Sequence, residues 1–145
     1  MHIAVLNGPN LDLLGERETH IYGTTTLATL EESVRRRGEE RGVSVEWIQS
    51  NHEGELVEAI HGFRSRVDGA VVNPAAYTHT SWALRDAFLA ARVPFVEVHL
   101  SNVFDREPER RQSLLADLAR GFIAGFGPRG YLLALDALID ILRDD

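Results

Sequence analysis

The chain has 145 residues, 44% of them hydrophobic, enough to build one core without disulfide or metal staples. It contains no Cys, and all 15 of its basic residues are Arg. Disulfides, thiolate metal sites and Schiff-base chemistry on a lysine amine are thereby excluded. A formal charge of -7 lacks the basic face that phosphate neutralisation needs, which excludes a nucleic-acid partner.

Met1-His2 leads straight into the apolar run Ile3 to Leu6, too short for a signal-peptide core and without a basic flank. No apolar run approaches the ~20 residues of a bilayer span. The expectation is a soluble, cytoplasmic protein, with residues 1–145 forming a single domain. Five short runs read as strands: Ile3 to Leu6, Val43 to Ile48, Ala70 to Val72, Phe95 to Val98 and Phe122 to Phe126. Most are β-branched and nearly continuous, as in strands covered on both faces. Helical patterns lie between them. Leu27, Leu30 and Val34 share one face against Glu31, Glu32 and Arg35 to Arg37, and Gly42 follows where a C-terminal glycine belongs. Leu56, Ile60 and Phe63 repeat the pattern, Trp82, Leu84, Phe88 and Leu89 do so less cleanly, and Tyr131 to Leu142 forms a last helix. The segment from Leu11 to Thr25 shows no convincing element, and long uncovered segments of this kind serve as lids or binding loops.

Repeated strand–helix alternation implies βαβ units and a parallel sheet. The fold class expected is α/β: a flavodoxin-like three-layer sandwich whose five-stranded parallel sheet has the order 2-1-3-4-5, with helices on both faces. Ligands in such sheets sit outside the carboxyl ends of the strands. Four of the five ends are loaded with amides, hydroxyls and imidazoles: Asn7-Gly8-Pro9-Asn10, Gln49 to Glu53, Asn73-Pro74 with Tyr77 to Ser81, and Glu97 and His99 with Ser101-Asn102. The fifth, Gly125-Phe126-Gly127, reads as structural.

Glu97 and His99 stand two apart on a strand, on the same side and about 7 Å apart along the backbone. A carboxylate so placed fixes the imidazole tautomer and prepares a general acid, although a histidine satisfied by a core carboxylate reads equally well. His79 precedes a helix that Thr80 or Ser81 can cap, and taken alone it is a surface residue of a capping run. Arg17 and Tyr22 share the Leu11 to Thr25 segment. A guanidinium stabilises a phenolate, so the two make a candidate base, against the simpler reading of a Tyr that packs the loop down. Arg106 and Arg110, one helical turn apart if the segment is helical, make a candidate clamp for a carboxylate or a ring hydroxyl. Arg111 fits a solvated turn better. Arg35 to Arg37 read as a solvated helix face. The six His show neither HxH nor HxxxH spacing, so no metal site is expected. There is no phosphate-binding glycine motif of the G-x-G-x-x-G or Walker type, and no cofactor is expected.

Taken together, Leu6-Asn7-Gly8-Pro9-Asn10-Leu11, Gly15, Arg17, Tyr22-Gly23, Gln49 to Gly54, Asn73 to Ser81, Glu97 to Asn102 and Gly125-Phe126-Gly127 resemble the type II 3-dehydroquinate dehydratases, in order and over nearly the whole chain. The resemblance implies a flavodoxin-like fold and a hydro-lyase of the shikimate pathway, which removes water in the anti sense from 3-dehydroquinate through an enolate. It implies that Tyr22, activated by Arg17, takes the proton next to the ketone. Asn10 would hold the water that stabilises the enolate, and His99, oriented by Glu97, would protonate the departing hydroxyl. Asn73, His79 and Arg110 would hold ring hydroxyls, and Leu100 and Ser101 would bind the carboxylate through backbone amides and the Ser101 hydroxyl. Asp86 would reach a neighbouring subunit's site in a homo-oligomer, a dodecamer built from trimers.

Phe104, Thr19, Glu109 and Gln112 depart from the family pattern, in which a His, a Pro, an aromatic residue and a His are frequent at those places. The Phe104 and Thr19 changes bear on lid closure, and Glu109 is expected to place a negative charge beside Arg110. The alternative expectation is a diverged flavodoxin-like dehydratase, or a binding protein, for another hydroxylated ring acid.

Overall fold

A computed structural model describes the backbone of residues 1–145 and every side chain except that of Tyr22. Five strands alternate with helices: β1 (His2–Asn7), β2 (Ser44–Gln49), β3 (Gly69–Asn73), β4 (Phe95–His99) and β5 (Gly121–Ala124). They form one parallel sheet in the order β2-β1-β3-β4-β5. The expected order is therefore observed. The expected strand Phe122 to Phe126 ends early, because Gly125 turns into the left-handed region at φ 94°.

The helices are α1 (Thr19–Tyr22), α2 (Leu27–Glu40), α3 (Glu53–Phe63), α4 (Trp82–Ala91) and α5 (Arg129–Asp144). Period-2 alternation along the strands supplies two cores. Ile3, Val5, Val71, Val96 and Val98 pack under α2 and α5. Ala4, Leu6, Ala70, Val72 and Phe95 pack under α3 and α4. Glu97 and His99 keep step with Phe95, so they belong to the α3–α4 side of the sheet.

Thr26 caps α2 in a reciprocal pair with Thr29, Ser81 caps α4, and Gly42 (φ 72°) follows the C-terminal end of α2. Arg37 of α2 and Arg41 at its C-terminal cap grip Asp136 of α5 at 2.8 and 2.7 Å. Burial alone would raise the Asp136 carboxyl, but the two guanidiniums outweigh it and hold the group below the usual carboxylate range. A depressed folded-state value adds stability above the unfolded value. This contribution fades as pH falls through the folded one.

The Leu11 to Thr25 segment is not featureless. It holds a 3-10 turn at Leu11–Leu13 and the single-turn helix α1. Its bends need the left-handed region at Gly15 (φ 90°), Glu18 (φ 43°) and Gly23 (φ 76°), as does Asn10 (φ 68°) just before it, conformations too local to give the apolar period by which an element is recognised. Among the described residues, no helix is long and apolar enough to cross a membrane.

Candidate active site

Asn7, Gln49 and Asn73 lie at one level across β1, β2 and β3 and open the carboxyl end of the sheet. Behind them sits a buried polar chain. Asn7 Nδ2 donates to the Ile48 carbonyl at 3.1 Å, Tyr131 Oη donates to Asn7 Oδ1 at 2.8 Å, and Asn73 Nδ2 donates to Tyr131 Oη at 2.9 Å. Asn73 Oδ1 accepts from the Ala75 N–H at 3.1 Å. Burial pushes the Tyr131 phenol well above its ordinary value, so it stays a donor. Asn73 keeps one of its two amide protons for the cleft it lines.

The β1 and β3 ends meet closely. Gly8 N–H donates to the Asn73 carbonyl at 2.8 Å. A Cβ on Gly8 would lie 2.3 Å from the Pro74 carbonyl oxygen, so only glycine fits. Opposite, the amide of Asn51 receives Asn10 N–H at 2.9 Å and Gln49 Nε2 at 3.2 Å, which ties the loop after β1 to the loop after β2. Asn10 and Ala75 line the cleft in the left-handed region at φ 68° and 52°, a strain of the kind that functional sites retain.

On β4, Glu97 is 0% exposed and His99 7%. His99 Nε2 lies 2.7 Å from Glu97 Oε1. A carboxylate can only accept, so Nε2 carries a proton and Nδ1 remains as the other functional nitrogen of a ring that lines the cleft. The Glu97 carboxylate is buried without being bare. Thr78 Oγ1 donates to Oε1, and Ser113 Oγ donates to Oε2 at 2.8 Å.

His79 Nδ1 lies 2.6 Å from the Gln112 carbonyl. The carbonyl accepts, so Nδ1 donates and the neutral ring offers Nε2 as an acceptor at the cleft wall. The partner is a backbone group, so the Gln112 side chain is incidental to this contact.

The cleft holds about 170 Å3. Asn10, Arg17, Asn73, His79 and His99 all line it, together with Leu100, Ser101 and Arg110. Glu97 stands behind His99. Asp86 does not reach the cleft within one chain. It is exposed on α4, between the exposed Trp82 and Leu89. The Tyr22 side chain lies outside the described residues, and its pairing with Arg17 with it. Arg17 Nη2 bonds the Glu18 carboxylate at 2.6 Å, a contact that draws Glu18 below its ordinary range.

Two details of the arginine segment differ from expectation. Residues 103–110 form two 3-10 turns, Val103–Asp105 and Pro108–Arg110, instead of a helical turn. Arg106 and Arg110 nevertheless both line the cleft. The acidic partner of Arg110 is Glu107 at 2.7 Å, not Glu109. Residues three apart eclipse in a 3-10 turn whereas adjacent ones diverge. Glu107 is held below the usual carboxylate range by its own backbone N–H and by Arg110 and Arg106. Arg111 donates to the Arg106 carbonyl at 2.6 Å and is structural. Phe104 is exposed, and its N–H caps onto Asn102.

Sequence reasoning missed Tyr131 and Ser113. Tyr131 carries only the signal of a core-facing aromatic on an amphipathic helix. Ser113 carries only a weak capping signal, its hydroxyl accepting from Leu115 and Ala116 N–H at 3.0 Å each.

The model of the class II dehydroquinase family matches residues 1–139. A 3-dehydroquinate dehydratase of Prochlorococcus marinus (strain MIT 9211) is 51% identical over 144 residues, 99% of this chain and 97% of its own. A protein of Aspergillus terreus named catabolic 3-dehydroquinase 1 is 53% identical over 134 residues, covering 92% and 88% of the two chains. The crystal structure of a type II dehydroquinase from Propionibacterium acnes superposes with a TM-score of 0.92 at 42% identity, covering 96% of each chain.

Proposed function

This chain belongs to the class II dehydroquinase family, and from that premise we propose how its cleft carries out the reaction of a type II 3-dehydroquinate dehydratase, a hydro-lyase. The conversion of 3-dehydroquinate to 3-dehydroshikimate requires two proton movements. One proton leaves the carbon next to the ketone, and another joins the departing hydroxyl. The observation that carries our reading is the buried Glu97–His99 pair on the cleft floor.

In this reading Tyr22, with Arg17 beside it to favour the phenolate, is the base. The electrons left behind form an enolate, and Asn10 holds a water that stabilises its oxygen. The carbon–oxygen bond then breaks, its electron pair leaving with the hydroxyl. His99 Nδ1–H supplies that hydroxyl with a proton, so the leaving group is water. Glu97 keeps Nε2 protonated throughout and stabilises the charged ring.

The remaining N–H of Asn73 and the Nε2 acceptor of His79 hold ring hydroxyls, with Arg110. The amides around Leu100 and Ser101, with the Ser101 hydroxyl, receive the carboxylate. Residues 1–145 act as one catalytic domain, since the cleft is assembled from Pro9 through Arg110. Asp86 serves a neighbouring copy in a homo-oligomer, a dodecamer of trimers. The exposed Trp82 (63%) and Leu89 (52%) on the same face of α4 favour a partner there. The alternative of another ring acid has no observation in its favour.

The test is turnover by the purified chain. With 3-dehydroquinate as substrate, absorbance from the conjugated product should grow, and EDTA should leave the rate unchanged. No turnover, or loss of rate on chelation, sinks the reading. Sedimentation should give a mass near twelve chains, and a monomer at working concentration removes the Asp86 role.

A further inference from the structure

Resting on the reading of His99 as the acid, we infer that the Thr78 and Ser113 hydroxyls form a clamp that decides which member of the Glu97–His99 pair holds the shared proton. Their role is to position Glu97; neither hydroxyl is placed to touch the reacting atoms.

Proton counting carries the inference. Glu97 Oε1 lies 2.7 Å from His99 Nε2 and also receives Thr78 Oγ1, while Oε2 lies 2.8 Å from Ser113 Oγ. The two hydroxyl oxygens are 2.9 Å apart, a distance at which one could instead donate to the other. Ser113 cannot receive the Thr78 proton. A hydroxyl oxygen has two acceptor sites, and those of Ser113 are taken by the N–H groups of Leu115 and Ala116 at 3.0 Å each. The Thr78 proton is therefore directed to Oε1, and the Ser113 hydroxyl lies within reach of both carboxylate oxygens, 2.8 Å from Oε2, its nearest acceptor, and 3.0 Å from Oε1.

Glu97 is 0% exposed and Thr78 1%, so water does not substitute for the Thr78 contact, while Ser113 is half-buried. A carboxylate that receives two hydroxyl protons in a dry site is stabilised as the anion. The proton between Glu97 and His99 then stays on Nε2, and the protonated pair is an imidazolium facing a carboxylate. Without the hydroxyls, Glu97 takes that proton and leaves a neutral ring whose Nδ1–H is too weak an acid to protonate a departing hydroxyl. The clamp thus sets acid strength without touching substrate, and its loss should appear in kcat and spare KM.

The direct variant is Thr78→Val, which keeps volume and removes the hydroxyl. Thr78→Ser restores it, and Ser113→Ala provides an independent second arm, with thermal unfolding followed for each. One hydrogen bond to a charged group changes the balance by roughly tenfold or more. We expect kcat to fall about tenfold in Thr78→Val and in Ser113→Ala, with KM within about twofold, and Thr78→Ser to recover most of the loss. Ring-nitrogen NMR of 15N-histidine-labelled protein, assigned with His99→Gln, should show the imidazolium pattern in the parent protein at low pH. Thr78→Val should shift it toward a neutral ring with Nδ1 protonated.

A ring that shifts while kcat holds leaves the clamp standing and overturns His99 as the acid. A ring that does not shift overturns the clamp, whether or not kcat falls. If Thr78→Val does not fold, the same readings on Ser113→Ala decide the matter.

Discussion

On the cleft floor, Glu97 and Asn73 are buried and bonded to groups that come from elsewhere in the fold: Thr78, Ser113 and Tyr131. On the rim, Arg17 and Arg110 are partly exposed and bonded to acidic neighbours within their own short segments, Glu18 and Glu107. The two regions therefore differ in what a substrate must displace. Floor groups are already aimed, and rearranging them would leave buried polar atoms without partners at about 1–3 kcal/mol each. Rim pairs of this exposure are worth about 0–1 kcal/mol, so the Glu18 and Glu107 contacts give way at little cost. The Glu97–His99 pair is held in place by the fold itself.

The largest effect expected is that of losing the proposed base. Tyr22→Phe removes the proposed base and should lower kcat by about 10^2–10^4-fold, while calorimetry still detects ligand binding. A variant that turns over at the parent rate ends the assignment. Next comes the floor. Tyr131→Phe deletes the hydroxyl that joins Asn7 to Asn73, and urea denaturation should show a loss of about 1–3 kcal/mol with a severalfold rise in KM. Unchanged stability would mean that the floor is not held by this chain of bonds. The smallest effect is that of Glu107→Gln, which removes the acidic partner of Arg110. KM for the anionic substrate should fall about two- to fivefold, the equivalent of one exposed ion pair. A rise in KM would show that Glu107 aims the arginines instead of occupying them.

The sheet was legible because each central strand is apolar on both faces and ends in a polar loop. Ser81 and Gly42 mark helix ends by their own chemistry. The Glu97–His99 pair was legible because strand geometry turns a spacing of two into a shared side. What stayed hidden depends on chain-distant or sub-helical geometry. Tyr131 meets Asn73 across 58 positions and Ser113 meets Glu97 across 16, and neither separation follows any local period. Glu107 supplants Glu109 as the partner of Arg110 because the segment turns as a 3-10 helix, which one exposed charged run does not announce. Asp86 is exposed on α4 and does not line its own chain's cleft.

The division between base and acid is tested most directly by following deuterium from solvent into 3-dehydroquinate with a His99→Gln variant. With the base intact and the acid removed, the account predicts that the proton next to the ketone still exchanges while product forms slowly. If exchange and water loss fall together, His99 is not a separate acid and the account is contradicted.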